Sequence, residues 1–303
     1  MNENENKPEN VKKTGRGHIL CEKAPWLVLT VGTFLISFFF PLVGILSSAA
    51  LQQILPFDKD IGEALLCTAS SFLLLWLIKW WFSPEYEGSM RLHVPVGDVV
   101  RWSVPLWVCL ACGIAVEAWK RGEFYFHLTF GMVALCLMAG FLEEAIYRAF
   151  VVPVGMRYLS GENRVWWTAA FSMGVFALAH LPNVLSGAPL DITIVQVVGC
   201  LPFGLFAVAV MLRSGSVLPT AVMHTLMDII AMSTTPNIGD GVMRGAVEWD
   251  LIVSVVLEYI VLATFGVWMI KKYKPEILAL WDRKWGISSV QTEGGTLGAD
   301  NQR

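Results

Sequence analysis

The sequence predicts an all-α, polytopic integral membrane protein: a helical bundle of about eight transmembrane helices. Three observations carry this. Asp, Glu, Lys and Arg make up only 16% of the 303 residues and hydrophobic residues 55%, with 13 Trp and 17 Phe. An ordinary soluble domain has about 25% charged residues. The mean hydropathy is +0.57, and the apolar residues gather in runs near the ~20 residues that an α-helix needs to cross a bilayer. Lys and Arg fall mostly outside these runs, in the breaks and the two end segments, with only Lys79, Arg101, Arg148 and Arg213 within them. A chain of this composition is not disordered, not a basic nucleic-acid binder and not a typical cytosolic enzyme. Its net charge of -3 gives little steering of charged partners.

The predicted spans are 26–50, 61–82, 99–119, 127–152, 165–181, 192–213, 215–234 and 249–270. Turn and charge residues punctuate them: Pro56 before Asp58-Lys59-Asp60, then Pro84 to Gly88, Lys120 to Glu123, Gly161 to Arg164, Pro189 with Asp191, Arg213-Ser214-Gly215, and Pro236 to Asp240. No repeat is evident, so a single membrane domain over 26–270 is expected, between a 1–25 N-tail and a 271–303 C-tail whose last dozen residues read as disordered. The first apolar run is too long for the hydrophobic region of a signal peptide. Five of the six Cys lie in apolar segments and read as packing residues rather than a disulfide framework. That includes the Cys109–Cys112 pair, which lacks a second CxxC.

Orientation follows from the basic residues. With the N-terminus cytoplasmic, four of the 22 basic residues (Lys59, Lys120, Arg121 and Arg244) fall on the far side and Arg148 lies within a helix, leaving seventeen on the cytoplasmic side. Both termini are expected there, in a multi-pass protein of a prokaryotic plasma (inner) membrane.

Three spans contain ionisable residues, and an ionisable residue inside a membrane is a functional candidate by default. The fourth span reads Gly140-Phe141-Leu142-Glu143-Glu144-Ala145-Ile146-Tyr147-Arg148. Glu144 and Arg148 are one turn apart and can pair. Glu143 lies about 100° round the helix and is left available as a general base. The alternative is a salt-bridged trio that only locks helices together. The fifth span ends in Phe176-Ala177-Leu178-Ala179-His180 and the seventh holds His224-Thr225-Leu226-Met227-Asp228, each pair again one turn apart. Carboxylates and imidazoles converging in a bundle can position a water or bind a metal. By rise per residue, Glu143 and His224 each lie about 14 Å from the cytoplasmic ends of their spans, whereas His180 comes out near 22 Å. Gly140 and Pro182 can make room for a polar cavity, with close helix packing as the alternative for Gly140.

In order, Glu143-Glu144-x-x-x-Arg148, Phe176-x-x-x-His180 and His224-x-x-x-Asp228 resemble the EExxxR, FxxxH and HxxxN/D motifs of the CAAX protease and bacteriocin-processing family of intramembrane endopeptidases. The resemblance covers about 130–234 and suggests a catalytic core at 127–234. It implies hydrolysis of a peptide bond in a membrane-tethered peptide or protein at the lipid bilayer, with no nucleic-acid partner. By analogy Glu143 activates the attacking water with help from His180. His224 and Asp228 stabilise the oxyanion or join a metal site. Glu144, Arg148 and Phe176 are structural or orient substrate. The resemblance admits a divalent metal such as zinc, held by Glu143, His180, His224 and Asp228, and equally a glutamic mechanism. Asp228 stands where many members have Asn, and an ionised Asp cannot donate to an oxyanion. It must be protonated, orient His224 or bind metal. Other functions for the same fold are a catalytically silent scaffold or regulator, a bacteriocin-immunity type of protein, and a proton-coupled transporter suggested by Glu117 and Glu258.

Overall fold

A computed structural model describes residues 16–236 and 246–287, all of whose regular structure is helical. The expected disordered C-terminal dozen lies outside the described residues. A short helix, α1 (Arg16–Lys23), leads into α2 (Pro25–Gln52), α3 (Lys59–Trp81) and α4 (Val96–Arg121). Along the chain after them come α5 (Phe130–Tyr158), α6 (Arg164–Leu178), α7 (Leu190–Ser214), α8 (Leu218–Thr234) and α9 (Trp249–Lys284).

Local chemistry sets the boundaries. The Asp58 side chain accepts from the Ile61 amide at 3.0 Å and starts α3, and Thr129 accepts from the Met132 amide at 3.2 Å and starts α5. Gly215 adopts φ +71° at the end of α7, a left-handed turn that glycine takes without strain. It allows α8 to begin three residues later.

Among the described residues, seven helical segments are long and apolar enough to cross a membrane: α2, α3, α4, α5, α6 with its short 3-10 extension to Ser186, α7 and α9. The eighth expected span, α8, has only 17 residues, and the packing explains its length. The Val217 amide bonds to the Ser89 carbonyl at 2.9 Å, while the Ser89 hydroxyl reaches the Ala149 carbonyl at 3.5 Å. Ala149 lies nine residues before the end of α5, about 13 Å along it. The α7–α8 turn is therefore sunk among the helices, with Ser214, Ser216 and Val217 buried. At its other end α8 reaches the opposite loops, where the His127 amide bonds to the Ser233 carbonyl at 2.8 Å.

The loops sort onto two faces. On one, the His93 amide bonds to the Ser214 carbonyl, Arg164 pairs with Asp282 at 2.6 Å and Lys274 with Glu162 at 3.0 Å. On the other, Lys120 pairs with Asp250 at 3.0 Å and with Glu248. Large apolar side chains such as Phe34, Phe38, Trp76 and Ile260 point outward along the helices, as a lipid-facing surface requires. α7 is the central helix. Residues 206–212 are buried without a break, enclosed mainly by α6 and α9.

The helical boundaries differ from the sequence reading at both ends. Residues 16–23, read as tail, form α1, and His18 within it is buried, pairing with Glu85 at 2.6 Å and with the Tyr158 hydroxyl. The last span does not stop at 270: α9 turns at Tyr273 (φ -109°, ψ 17°), just before Pro275, and continues to Lys284. Trp281 and Trp285 anchor this extension, the latter stacked on Tyr86 at 4.6 Å. The buried Lys284 ammonium donates to the Gly88 carbonyl at 2.7 Å and lies 3.7 Å from Glu87.

Burial alone would push the Glu87 carboxyl up, but Lys284, His93 and Arg91 around it outweigh burial and hold it below its ordinary value of 4.5. A carboxyl depressed on folding stabilises the fold above its unfolded pKa, and that contribution is lost as pH falls through the folded value. Thermal unfolding in detergent is therefore expected to show a stability loss below about pH 4.5. Glu87→Gln should lower the melting temperature at pH 7 and flatten this acid limb.

Candidate active site

The three motifs meet where α5, α6, α7 and α8 converge. Glu144 of α5 is fully buried, and its Oε1 lies 3.2 Å from Arg148 Nη1 and 3.2 Å from His224 Nδ1 on α8. The i,i+4 pairing expected from the sequence is present, and it extends across to a second helix. Arg148 is equally buried. Its guanidinium lies over the Phe176 ring at 4.2 Å and donates to the Gly204 carbonyl at 3.5 Å.

Phe176 is the hub of the cluster. Its ring meets His180 edge-on at 5.2 Å and His224 edge-on at 5.7 Å, so a single buried aromatic fixes the guanidinium and both imidazoles. The second face of His224 rests on Phe203 at 5.0 Å.

Glu143 has a different environment from Glu144. It is half-buried, and its Oε2 has no hydrogen-bond partner. No ion pair to it is present among the described residues. The helix is irregular around the two acids. α5 widens into π-turns at Ala139–Glu143 and Ala145–Phe150, on either side of Glu144. Each π-turn inserts a residue into the helical ladder and re-aims the side chains beyond it, a feature common at functional sites.

Gly140 lies at the closest approach of α5 to α8. A Cβ there would sit 2.1 Å from Thr225 Oγ1 and 2.9 Å from the Ala221 carbonyl. Of the two expectations for Gly140, close packing is the one realised.

His180 lies just beyond α6, with Nδ1 at 3.0 Å from the Phe176 carbonyl. A carbonyl only accepts, so Nδ1 carries the proton, and in the neutral ring Nε2 keeps a free lone pair. His224 Nε2 lies 3.5 Å from Asp228 Oδ2, whose side chain is 25% exposed. Glu144, His180, His224 and Asp228 are thus joined in one cluster through Phe176 and Arg148, with Glu143 next to Glu144 on α5.

The apparent mismatch of His180 in depth comes from helix boundaries. α5 runs on to Tyr158, placing Glu143 about 22 Å from that end, level with His180 at about 24 Å along α6. His224 is only about 9 Å into α8, and the sunken start of α8 makes up the difference.

A metal centre needs donors that converge on one point. Among the described residues, no three His, Cys, Asp or Glu side chains do so. Glu144 holds one nitrogen of His224, and His180 Nδ1 is turned to its own helix. The expected set of Glu143, His180, His224 and Asp228 does not, as placed, form a metal centre.

Glu117 lies near the end of α4 at 4.0 Å from Arg121, beside the Lys120–Asp250 pair. It is a rim residue rather than an intramembrane acid. Phe203 and Gly204 are not singled out by the sequence. They sit in an uncharged stretch of α7, where composition carries no signal.

A carboxylate–histidine cluster enclosed by membrane-length helices, with one acid left unpartnered, defines a polytopic membrane protein with a built polar site. Residues 125–230 match the model of the family described as Type II CAAX prenyl endopeptidase Rce1-like, in agreement with the resemblance of the three motifs to the CAAX protease and bacteriocin-processing family. The matched segment contains all three motifs, and its family is one of proteases acting at a membrane. No curated protein and no solved structure gives a match.

Removing one partner of a buried ion pair strands the other. Glu144→Gln is therefore expected to destabilise the fold by about 3–5 kcal/mol. Glu143→Gln, with no partner to strand, should unfold within about 0.5 kcal/mol of the wild type. Denaturant unfolding of the two variants in the same detergent checks the contrast.

Proposed function

We propose that this protein is an intramembrane endopeptidase that hydrolyses a peptide bond of a membrane-tethered peptide or protein, with Glu143 as general base. The observation that carries the reading is the division of labour between neighbouring acids: Glu144 Oε1 is taken by Arg148 and His224, while Glu143 has no ion pair and no side-chain hydrogen bond among the described residues.

In this mechanism the Glu143 carboxylate takes a proton from a water as the water oxygen attacks the scissile carbonyl carbon. The free Nε2 lone pair of His180 accepts that water's second hydrogen and aims its oxygen. The carbonyl π-electrons move onto oxygen, giving a tetrahedral oxyanion. A donor is required there, and ionised Asp228 cannot be one. His224 takes the role: Glu144 fixes its Nδ1–H, and Asp228 orients the Nε2 edge from which a proton is donated. Of the three roles open to Asp228, orienting His224 is the one its 3.5 Å approach favours. Collapse of the intermediate breaks the C–N bond, and the proton held by Glu143 passes to the leaving amine. Water enters a site that lipid would otherwise exclude because the cluster is polar and partly open.

The basic residues further support placing the face that carries loops 82–95 and 158–164 in the cytoplasm. A silent scaffold, an immunity-type protein or a transporter would leave Glu143 without this duty.

General bases contribute about 10²–10⁴-fold. Glu143→Gln is expected to lower the rate of substrate cleavage by that factor with the protein still folded. The measurement is comparative proteomics of membranes from cells making wild type or Glu143→Gln at equal levels, reading protein termini. At least one terminus should depend on the wild type. Identical termini in the two samples would sink the peptidase reading.

A further inference from the structure

Four acids lie in the interior of the spans: Glu143, Glu144, Asp228 and Glu258. The mechanism uses the first three and leaves Glu258 without a task. It lies on α9, nine residues past Trp249 and so about 14 Å along the helix. It is half-buried, and no cation or hydrogen-bond donor reaches its carboxyl among the described residues. A carboxylate at such depth is costly unless something pairs with it.

Its position relates it to the cluster. Tyr259, the next residue, donates its hydroxyl to the Val198 carbonyl at 3.0 Å. Val255, one turn earlier, lies against Gly199, where an added Cβ would come within 3.2 Å of it. Glu258 lies between these two contacts along the chain, on the turn of α9 that packs against residues 198–199 of α7. One turn further along α7, Phe203 packs on His224. α9 also opens into a π-turn at Tyr259–Ala263, immediately after Glu258. Among the described residues, the other π-turns are those around the two acids of α5.

Resting on the peptidase reading, we propose that Glu258 is a specificity-determining residue that receives a cationic side chain, Lys or Arg, of the substrate close to the scissile bond. An apolar substrate residue would leave the carboxylate unpaired in a low-dielectric site and be rejected, whereas a cation is neutralised and sets the peptide's register against Glu143. No bond is made or broken at Glu258.

The test uses the full-length protein in liposomes with a library of randomised peptides anchored by an N-terminal palmitoyl chain. The cleaved products of wild type, Glu258→Gln and Glu258→Lys are sequenced by mass spectrometry. Wild type should enrich Lys and Arg about tenfold at one position near the cut, a factor equal to ~1.4 kcal/mol of selectivity. Glu258→Gln should still cleave but lose that enrichment, and Glu258→Lys should turn it toward Asp and Glu. If Glu258→Gln fails to fold, Glu258→Asp should show a weakened enrichment at the same position. A residue profile unchanged by substitution would overturn the inference. Loss of all cleavage in a folded Glu258→Gln would overturn it too, because it would place Glu258 in the chemistry. A wild type that cuts nothing while Glu258→Gln is equally silent would be the separate failure of the peptidase reading, and the inference would fall with it.

Discussion

The fully buried Glu144 carboxylate constrains everything around it. A charge enclosed in a membrane bundle must be met by partners from its own chain, and the two it has come from different places: Arg148 one turn along α5 and His224 on α8. Satisfying one acid thereby fixes the relative height and rotation of two helices. Arg148 in turn needs a cover, which Phe176 of α6 and the Gly204 carbonyl of α7 provide. Four helices are located by a single electrostatic requirement. The same requirement leaves the neighbouring Glu143 unpartnered and facing the cluster.

That arrangement depends on features remote from the charges. α8 must present His224 opposite Glu144 although its helix is short. The sunken α7–α8 turn, held by Ser89 and capped by the left-handed Gly215, starts α8 at the necessary depth. Gly140 lets the α8 backbone approach α5 closely enough for the imidazole to reach the carboxylate. The π-turns on either side of Glu144 make α5 irregular at the two acids and re-aim the side chains beyond them.

Much of this is legible in the sequence because membranes make charge conspicuous. A Glu-Glu pair, two His and an Asp among apolar runs stand out against the background, and the i,i+4 spacing of Glu144 and Arg148 identifies their pairing directly. The hidden parts are those that hydropathy does not encode. The pairing of Glu144 with His224 spans eighty positions and leaves no local pattern. The continuation of α5 to Tyr158 and of α9 to Lys284 occurs in segments whose polarity rises at the membrane edge, so apolar runs end before their helices do. One boundary misplaced in this way is enough to set His180 at apparent odds with Glu143. α1 reads as tail because its eight residues carry charge, whereas the buried His18, joined to Glu85 and Tyr158, is what holds it. Phe203 and Gly204 give no signal at all, since an aromatic and a glycine in an apolar helix resemble any other packing pair.

Two adjacent glutamates thus differ in their surroundings, one sealed in ion pairs and one half-buried with no ion pair among the described residues. Labelling of the folded protein in membranes with a water-soluble carbodiimide and a small amine, read residue by residue by mass spectrometry, distinguishes them directly. Modification is expected at Glu143, with Glu144 left intact until the protein is unfolded. Modification of Glu144 in the folded protein, or equal modification of both, would contradict this division.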